Sequence, residues 1–426
     1  MYKIKNYKQF QGKPFMYKKI EHCRLCGCQD LKIVVNLGEQ FLTGVFPRTK
    51  DEELTNGPLI LAFCPECHLI QLLHSYNLNE LYGENYGYRS SLNRSMVEHL
   101  KKKVDSILQL VSLDDADIIL DIGSNDGTLL SFYNGNNKQI VGFDPSAEKF
   151  KNYYRSDIIV VIDFFSAKRF QKEFGETAKA KIITSVAMFY DLEAPLDFMH
   201  QVESVLAEDG IWHFEQSYLP FMLQANAYDT ICHEHLEYYA LGQIKWMTDR
   251  TGLKIINVEF NEINGGSFAV TVAKKNAKYP VADNMVQEII IKEQAMGLDT
   301  IEPYELFQTR IFQHKEELLS KLNQIKKAGS LILGYGASTK GNVILQYCGI
   351  DDELIPAIAE VNDDKFGRIT PGTQIPIISE KEAMAMKPDY FMVFPWHFRE
   401  NILLREKEFI TKGGKFIFPL PEIQII

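Results

Sequence analysis

The stretch Tyr228-Asp229-Thr230-Ile231-Cys232-His233-Glu234-His235-Leu236-Glu237-Tyr238-Tyr239 sets a carboxylate between two imidazoles. On a helix His233 and His235 would point about 200° apart, unlike the i, i+4 pairs that bind metals, whereas in an extended loop they share a face. General-base catalysis is the other chemistry available to them, because imidazole titrates near working pH and such a base contributes about 10²–10⁴-fold. Glu234 would then orient a ring or bind a substrate hydroxyl. The plainer alternative is a pair of histidines that only pins a loop.

A second cluster holds Cys23-Arg24-Leu25-Cys26 and Cys64-Pro65-Glu66-Cys67, four of the seven cysteines. Two Cys-x-x-Cys knuckles let Cys23, Cys26, Cys64 and Cys67 converge on one tetrahedral Zn²⁺. Four thiolates leave no open coordination position, so the ion is structural. Paired disulfides are disfavoured in a reducing cytoplasm, and a lone redox dithiol by the doubling.

The third candidate is Ile118-Ile119-Leu120-Asp121-Ile122-Gly123-Ser124-Asn125-Asp126-Gly127-Thr128, an apolar strand running into a glycine turn. Val141-Gly142-Phe143-Asp144 follows at the interval of a βαβ nucleotide-binding unit. A diphosphate at this turn would meet carboxylates instead of bare N–H groups. The turn therefore suits a cation, and S-adenosylmethionine carries a sulfonium and an ammonium. Gly123 lets the backbone approach it, Asp121 or Asp126 faces its amino acid with Asn125 in the same loop, and Asp144 takes the ribose hydroxyls. Asp163 and Phe164, in the acidic-aromatic end of the next strand, would hydrogen-bond and stack the adenine.

These residues need a sheet to hold them. Strands are expected at 118–122, 141–144, 158–165, 181–186 and 210–217, with a closing pair at 253–260 and 268–273 around Asn264-Gly265-Gly266-Ser267. In such sheets ligands sit beyond the carboxyl ends of the strands. An amphipathic helix precedes them over 92–112, and its Lys101-Lys102-Lys103 reads as a solvated face. A helical stretch, 283–327, leads to a second α/β unit opening with Leu333-Gly334-Tyr335-Gly336-Ala337-Ser338-Thr339-Lys340. That turn departs from the dinucleotide and Walker patterns, but Ser338, Thr339 and Lys340 suit a phosphate at a helix N-terminus. A tyrosine-rich segment with Tyr76, Tyr82, Tyr86 and Tyr88 either wedges domains together or forms a substrate lid.

At 426 residues the chain has room for several domains, and its net charge of −10 argues against broad attraction to nucleic-acid backbones. It contains no apolar run long enough to span a bilayer, and its basic start lacks the apolar core of a signal peptide. A cytoplasmic protein with neither a nucleic-acid nor a membrane partner is expected. Nothing in the spacing bears on oligomeric state.

Taken together and in order, the cysteine pairs, the Asp-Ile-Gly-Ser-Asn-Asp-Gly turn, Asp163-Phe164-Phe165, His233-Glu234-His235, Asn264-Gly265-Gly266-Ser267 and the second glycine turn resemble S-adenosylmethionine-dependent sugar C-methyltransferases. The resemblance spans nearly the whole chain. It implies an α/β fold in three domains: an N-terminal zinc-binding module with a substrate lid (1–82), a central Rossmann-like methyltransferase domain (83–279) and, after a helical connector (280–327), a second Rossmann-like α/β domain (328–426). It implies a nucleotide-linked 4-keto-deoxyhexose as substrate, methylated at C3 through an enolate. His235 is then the base, carried over from the second histidine of the family's box, with His233 as second candidate. Tyr76, Tyr82, Tyr190, Asn264 and Lys340 are the candidate substrate contacts. One position departs from the family: Cys232 stands where a tyrosine is common, so another hydroxyl, from Tyr76 or Tyr190, would have to serve the enolate. The rival reading is a zinc-ribbon methyltransferase of RNA or protein, and a non-catalytic scaffold is a third.

Overall fold

Strand runs of Ile, Val and Leu, buried on both faces, build the centre of the molecule, seen in a computed structural model that describes residues 17–82, 88–134 and 138–426. The basic N-terminus and Tyr86 lie outside the described residues. A seven-stranded sheet runs in the spatial order Leu253–Asn261, Ser267–Lys274, Leu206–Ser217, Ala180–Val186, Ile118–Ile122, Gln139–Phe143, Ile158–Val161. All strands but Ser267–Lys274 are parallel. The chain order reverses beside Ile118–Ile122, leaving a crevice beyond its carboxyl end and that of Ala180–Val186. Trp212 and Phe214 stack at 4.3 Å between ring centres beneath it, and both are fully buried. Each such side chain contributes about 1.5–3 kcal/mol of burial free energy.

The third strand stops at Val161, short of the expected end. Asp163 and Phe164 are therefore loop residues, and Phe164 is 47% exposed. Arg94–Leu110 is the expected amphipathic helix, capped by Asn93, whose side chain accepts from the Ser95 N–H. Its basic run is not wholly solvated. Lys101 and Lys102 are exposed, but Lys103 is buried against Glu215 at 3.0 Å and Glu259 at 2.9 Å, because it falls on the stripe occupied by Leu100, Val104 and Ile107.

The N-terminal module is a four-stranded sheet in the order Glu237–Tyr238, Ile70–Leu72, Asn56–Phe63, Lys32–Phe41. Its first strand comes from the histidine box, so the box completes the sheet of the module that opens the chain. Helices Asp283–Ala295 and Glu302–Lys327 lead to the second unit, a six-stranded sheet ordered Ile377–Ser379, Ile358–Glu360, Ile332–Tyr335, Tyr390–Val393, Lys415–Phe418, Gln424–Ile425. Again the order reverses beyond its first strand, Ile332–Tyr335. Among the described residues no helix is long and apolar enough to cross a membrane.

Candidate active site

The four cysteines of the paired knuckles come together, with Sγ atoms all within 4.8 Å; Cys23 and Cys67 lie 3.6 Å apart, Cys26 and Cys64 3.4 Å. Sulfurs about 2.3 Å from one ion sit nearly this far apart at the corners of a tetrahedron, so the set fits Zn²⁺. Gln71 donates to Cys23 Sγ at 3.1 Å and so holds one ligand from behind.

The sheet around that cluster carries the box. The Leu72 N–H donates to Leu236 O, and the Leu236 N–H to Tyr190 O, each at 2.8 Å, so the box bridges the zinc module and the central sheet, turning over 232–235 (His235 N–H to Cys232 O, 3.2 Å) before the strand Glu237–Tyr238. The two histidines have different surroundings along it. His233 is wholly buried: Nδ1 faces the Thr43 N–H and hydroxyl at 3.3 Å, Nε2 faces Gln40 O at 3.2 Å, and the Tyr76 ring packs edge-on at 4.6 Å. Both nitrogens are spent on the zinc module, and burial holds the imidazole neutral, down at about 3. His233 is a pin, and it leaves the list of candidate bases. Tyr76 leaves the substrate list for the same kind of reason, since its buried hydroxyl donates to Pro58 O at 2.7 Å.

His235 is half-buried, and its Nδ1 lies 2.9 Å from Thr230 O. A carbonyl can only accept, so Nδ1 carries the proton and Nε2 keeps its lone pair. Nε2 has no hydrogen-bond partner among the described residues. The Tyr190 ring packs 4.3 Å away. Burial, helped by Lys340, holds this imidazole neutral too, at about 3.

Glu234 reaches the other way, toward the second α/β unit. Its Oε1 lies 3.0 Å from where a Cβ on Gly44 would sit, the Thr339 hydroxyl bonds the carboxylate, and Oε2 is buried without a partner. Burial raises it to about 7. Asp191, held by the Tyr82 hydroxyl at 2.8 Å, is likewise pushed up by burial and by Glu234. Lys340, on the first turn of the helix Thr339–Cys348, donates to Asn264 O at 2.6 Å. Glu234, His235, Lys340 and Asn264 are thus drawn to one seam between the two α/β units.

At the central crevice Gly123 takes φ +81°, with the Met188 side chain 3.1 Å from where a Cβ would be. Asp121 is buried beneath the turn, accepts from the Thr184 hydroxyl at 2.6 Å and is raised by burial to about 7. Asp144 accepts from the Asn125 N–H at 2.8 Å and from the Ser146 N–H and hydroxyl at 2.6 Å. Asn125 and Asp126 turn toward the segment at Ser90 and Ser91, accepting from those two N–H groups at 3.0 and 2.9 Å. These two side chains position that segment over the turn and do not stand open to a ligand.

Comparison with known proteins gives three matches in chain order: a zinc binding domain over residues 23–82, a methyltransferase domain over 96–258 and a C-methyltransferase C-terminal domain over 262–421. The C-methyltransferase NovU of Streptomyces niveus is 29% identical over 411 residues, 96% of this chain and 97% of that protein. The three matched domains and this relative fit a C-methyltransferase that carries a zinc-binding module. Among solved structures, the plantazolicin methyltransferase BpumL with SAH aligns at 12% identity over 41% of this chain and 82% of its own, TM-score 0.33. The CurJ carbon methyltransferase aligns at 13% identity over 43% and 56%, TM-score 0.32.

This C-methyltransferase uses S-adenosylmethionine and carries a structural zinc. The residues present fit the donor: a turn opened by Gly123, carboxylates Asp121 and Asp144 at adjacent strand ends, and exposed Phe164 beside Asp163 past the third strand. Reading the sequence assigned Asp229 no role and missed Trp396 and His397, which stand in the seam beside Lys340. Asp229 Oδ2 accepts from the Trp396 indole at 2.8 Å. Asp229 could have been found from its place four residues before His233, and Trp396 from the rarity of tryptophan.

Proposed function

We propose that this C-methyltransferase places its methyl group on C3 of a nucleotide-linked 4-keto-6-deoxyhexose, carried on dTDP or GDP, in the cytoplasm. The reading rests on His235: an imidazole locked in one tautomer by Thr230 O, close enough to half-buried Lys340 to feel its charge, in a seam where Glu234 and Asp229 each keep one buried oxygen without a partner. A C–H beside a ketone is acidic enough for such a base, whereas an ordinary C–H is not. His235 Nε2 takes the C3 proton, and the electron pair moves through C4 onto the ketone oxygen. Glu234 holds a sugar hydroxyl in reach of that base, with Tyr190 and Asn264 lining the same seam. Asp121, Gly123, Asp144, Asp163 and Phe164 hold the donor, which supplies an electrophilic methyl group when bound.

A base held at about 3 is weak at neutral pH. An anionic nucleotide diphosphate arriving nearby favours imidazolium and so raises its basicity toward working pH. The substrate would in this way activate its own base. The test is to incubate the enzyme with S-adenosylmethionine and a panel of dTDP- and GDP-linked 4-keto-6-deoxyhexoses, watching for a gain of one methyl in mass. NMR then places that methyl, since C3 and C5 both flank the ketone. Failure of every sugar to gain mass, or a methyl on oxygen, would reject the reading.

A further inference from the structure

Lys340 is a half-buried ammonium with little to hold it. An ammonium has three donors, and the one hydrogen bond seen goes to a neutral acceptor, Asn264 O, at 2.6 Å. Among the described residues Lys340 forms no ion pair. The nearest candidate, Asp229, is fully buried, with Oδ2 given to the Trp396 indole and Oδ1 left without a partner. Such a cation is costly to keep unless an anion comes to meet it.

Its placement says which anion. The preceding residue, Thr339, bonds Glu234 of the box, so Lys340 stands at the box's edge. Asp229 and Thr230 are neighbours on the single turn Tyr228–Thr230, and Thr230 O is the group that orients His235. One turn therefore sets both the base and the surroundings of the cation. Cys232, beside the box, offers only a weak donor, a thiol that burial keeps protonated. The Tyr76 hydroxyl is committed to Pro58.

We infer that Lys340, reaching in from the second α/β unit, donates to the ketone oxygen of the substrate and receives the negative charge that forms there when the neighbouring C–H is broken. This rests on the reading of His235 as the base of a 4-keto-sugar methyltransferase. The step balances without any other reactant. The proton goes to His235 Nε2, the C–H pair becomes the C3=C4 bond, and the carbonyl π pair goes to the oxygen hydrogen-bonded by Lys340. Run backward in heavy water, it returns deuterium to carbon.

The test is deuterium wash-in to dTDP-4-keto-6-deoxyglucose in D₂O with S-adenosylmethionine omitted, using the full-length zinc-loaded enzyme. Lys340→Met removes a cation that has no ion-pair partner, so the fold is not endangered, and unchanged zinc content confirms this. Exchange should fall about 100-fold, the loss seen when one donor to an oxyanion is removed, with the sugar's Kd within about threefold. Lys340→Arg should keep part of the rate and carry its alkaline limb to higher pH. Burial lowers the ammonium's affinity for its proton, while a guanidinium stays charged. The titratable groups facing Lys340 are Asp229, Cys232, His235 and His397, none altered by that exchange. Wild-type exchange rates in Lys340→Met, or a loss of affinity alone, would overturn the assignment while leaving His235 standing. Wild-type protein that exchanges no faster than His235→Ala would bring down both.

Discussion

The two glycine turns of this molecule share a backbone and differ in charge. Gly123 and Gly336 both take φ +81° at the end of the strand beside which each sheet reverses. Around the first stand Asp121, Asp126 and Asp144. Around the second stand Lys340 and Lys365, the latter donating to Ala337 O at 2.8 Å and lying 4.5 Å from the centre of the Phe46 ring. The fold supplies a place where a ligand can approach bare backbone; the side chains beside it choose the sign of the ligand. The first turn suits a cationic donor, and the second, through Lys365, suits an anion.

The severest way to break this arrangement acts on what joins the two turns. Cys64→Ser should release zinc, free the edge strand Glu237–Tyr238 and abolish turnover, as read by metal analysis and hydrogen exchange. His235→Ala should lower turnover by about 10²–10⁴-fold while calorimetry finds donor affinity unchanged. Asp144→Ala and Lys365→Met test the division of labour. The first should weaken S-adenosylmethionine about tenfold or more and spare the nucleotide sugar, and the second should do the reverse by a few-fold, a charged hydrogen bond being about 1.5–3 kcal/mol. Equal losses for both ligands in either variant would dissolve the contrast.

The smallest effect concerns pH. Burial raises Asp121 from 3.8 to about 7, so the folded state holds a proton there that the unfolded chain has already released. Its contribution to stability is full below about 4 and lost as pH rises through about 7. Asp121→Asn has no such proton to lose. The variant's Tm relative to wild type should therefore climb by a few degrees between pH 4 and 8. A flat difference would mean Asp121 is already ionised in the folded protein.

Much of this was open to reading from the sequence, because it is local. The apolar runs before Asp121 and Gly334 mark the strands, and the cysteine spacing marks the metal site. What separates His233 from His235 is not local: Gln40 and Thr43, some 190 residues away, occupy one ring and leave the other. Tyr76 looked available for the same reason, its acceptor being on a different strand. Lys103 was misplaced on a surface because the partner that buries it, Glu215, comes from the central sheet. The strands Ile377–Ser379 and Gln424–Ile425 were too short to announce themselves.

The strand lent by residues 237 and 238 to the opening sheet also fixes a timetable. As the chain leaves the ribosome, Ile70–Leu72 emerges with one edge bare and stays so until its antiparallel mate is made, about 165 residues later. At about 5–20 residues per second that is roughly 8–33 s during which an unpaired, fully buried-type edge is open to the wrong neighbour. The sheet that holds the zinc ligands is thus complete only once residues 237 and 238 have been made.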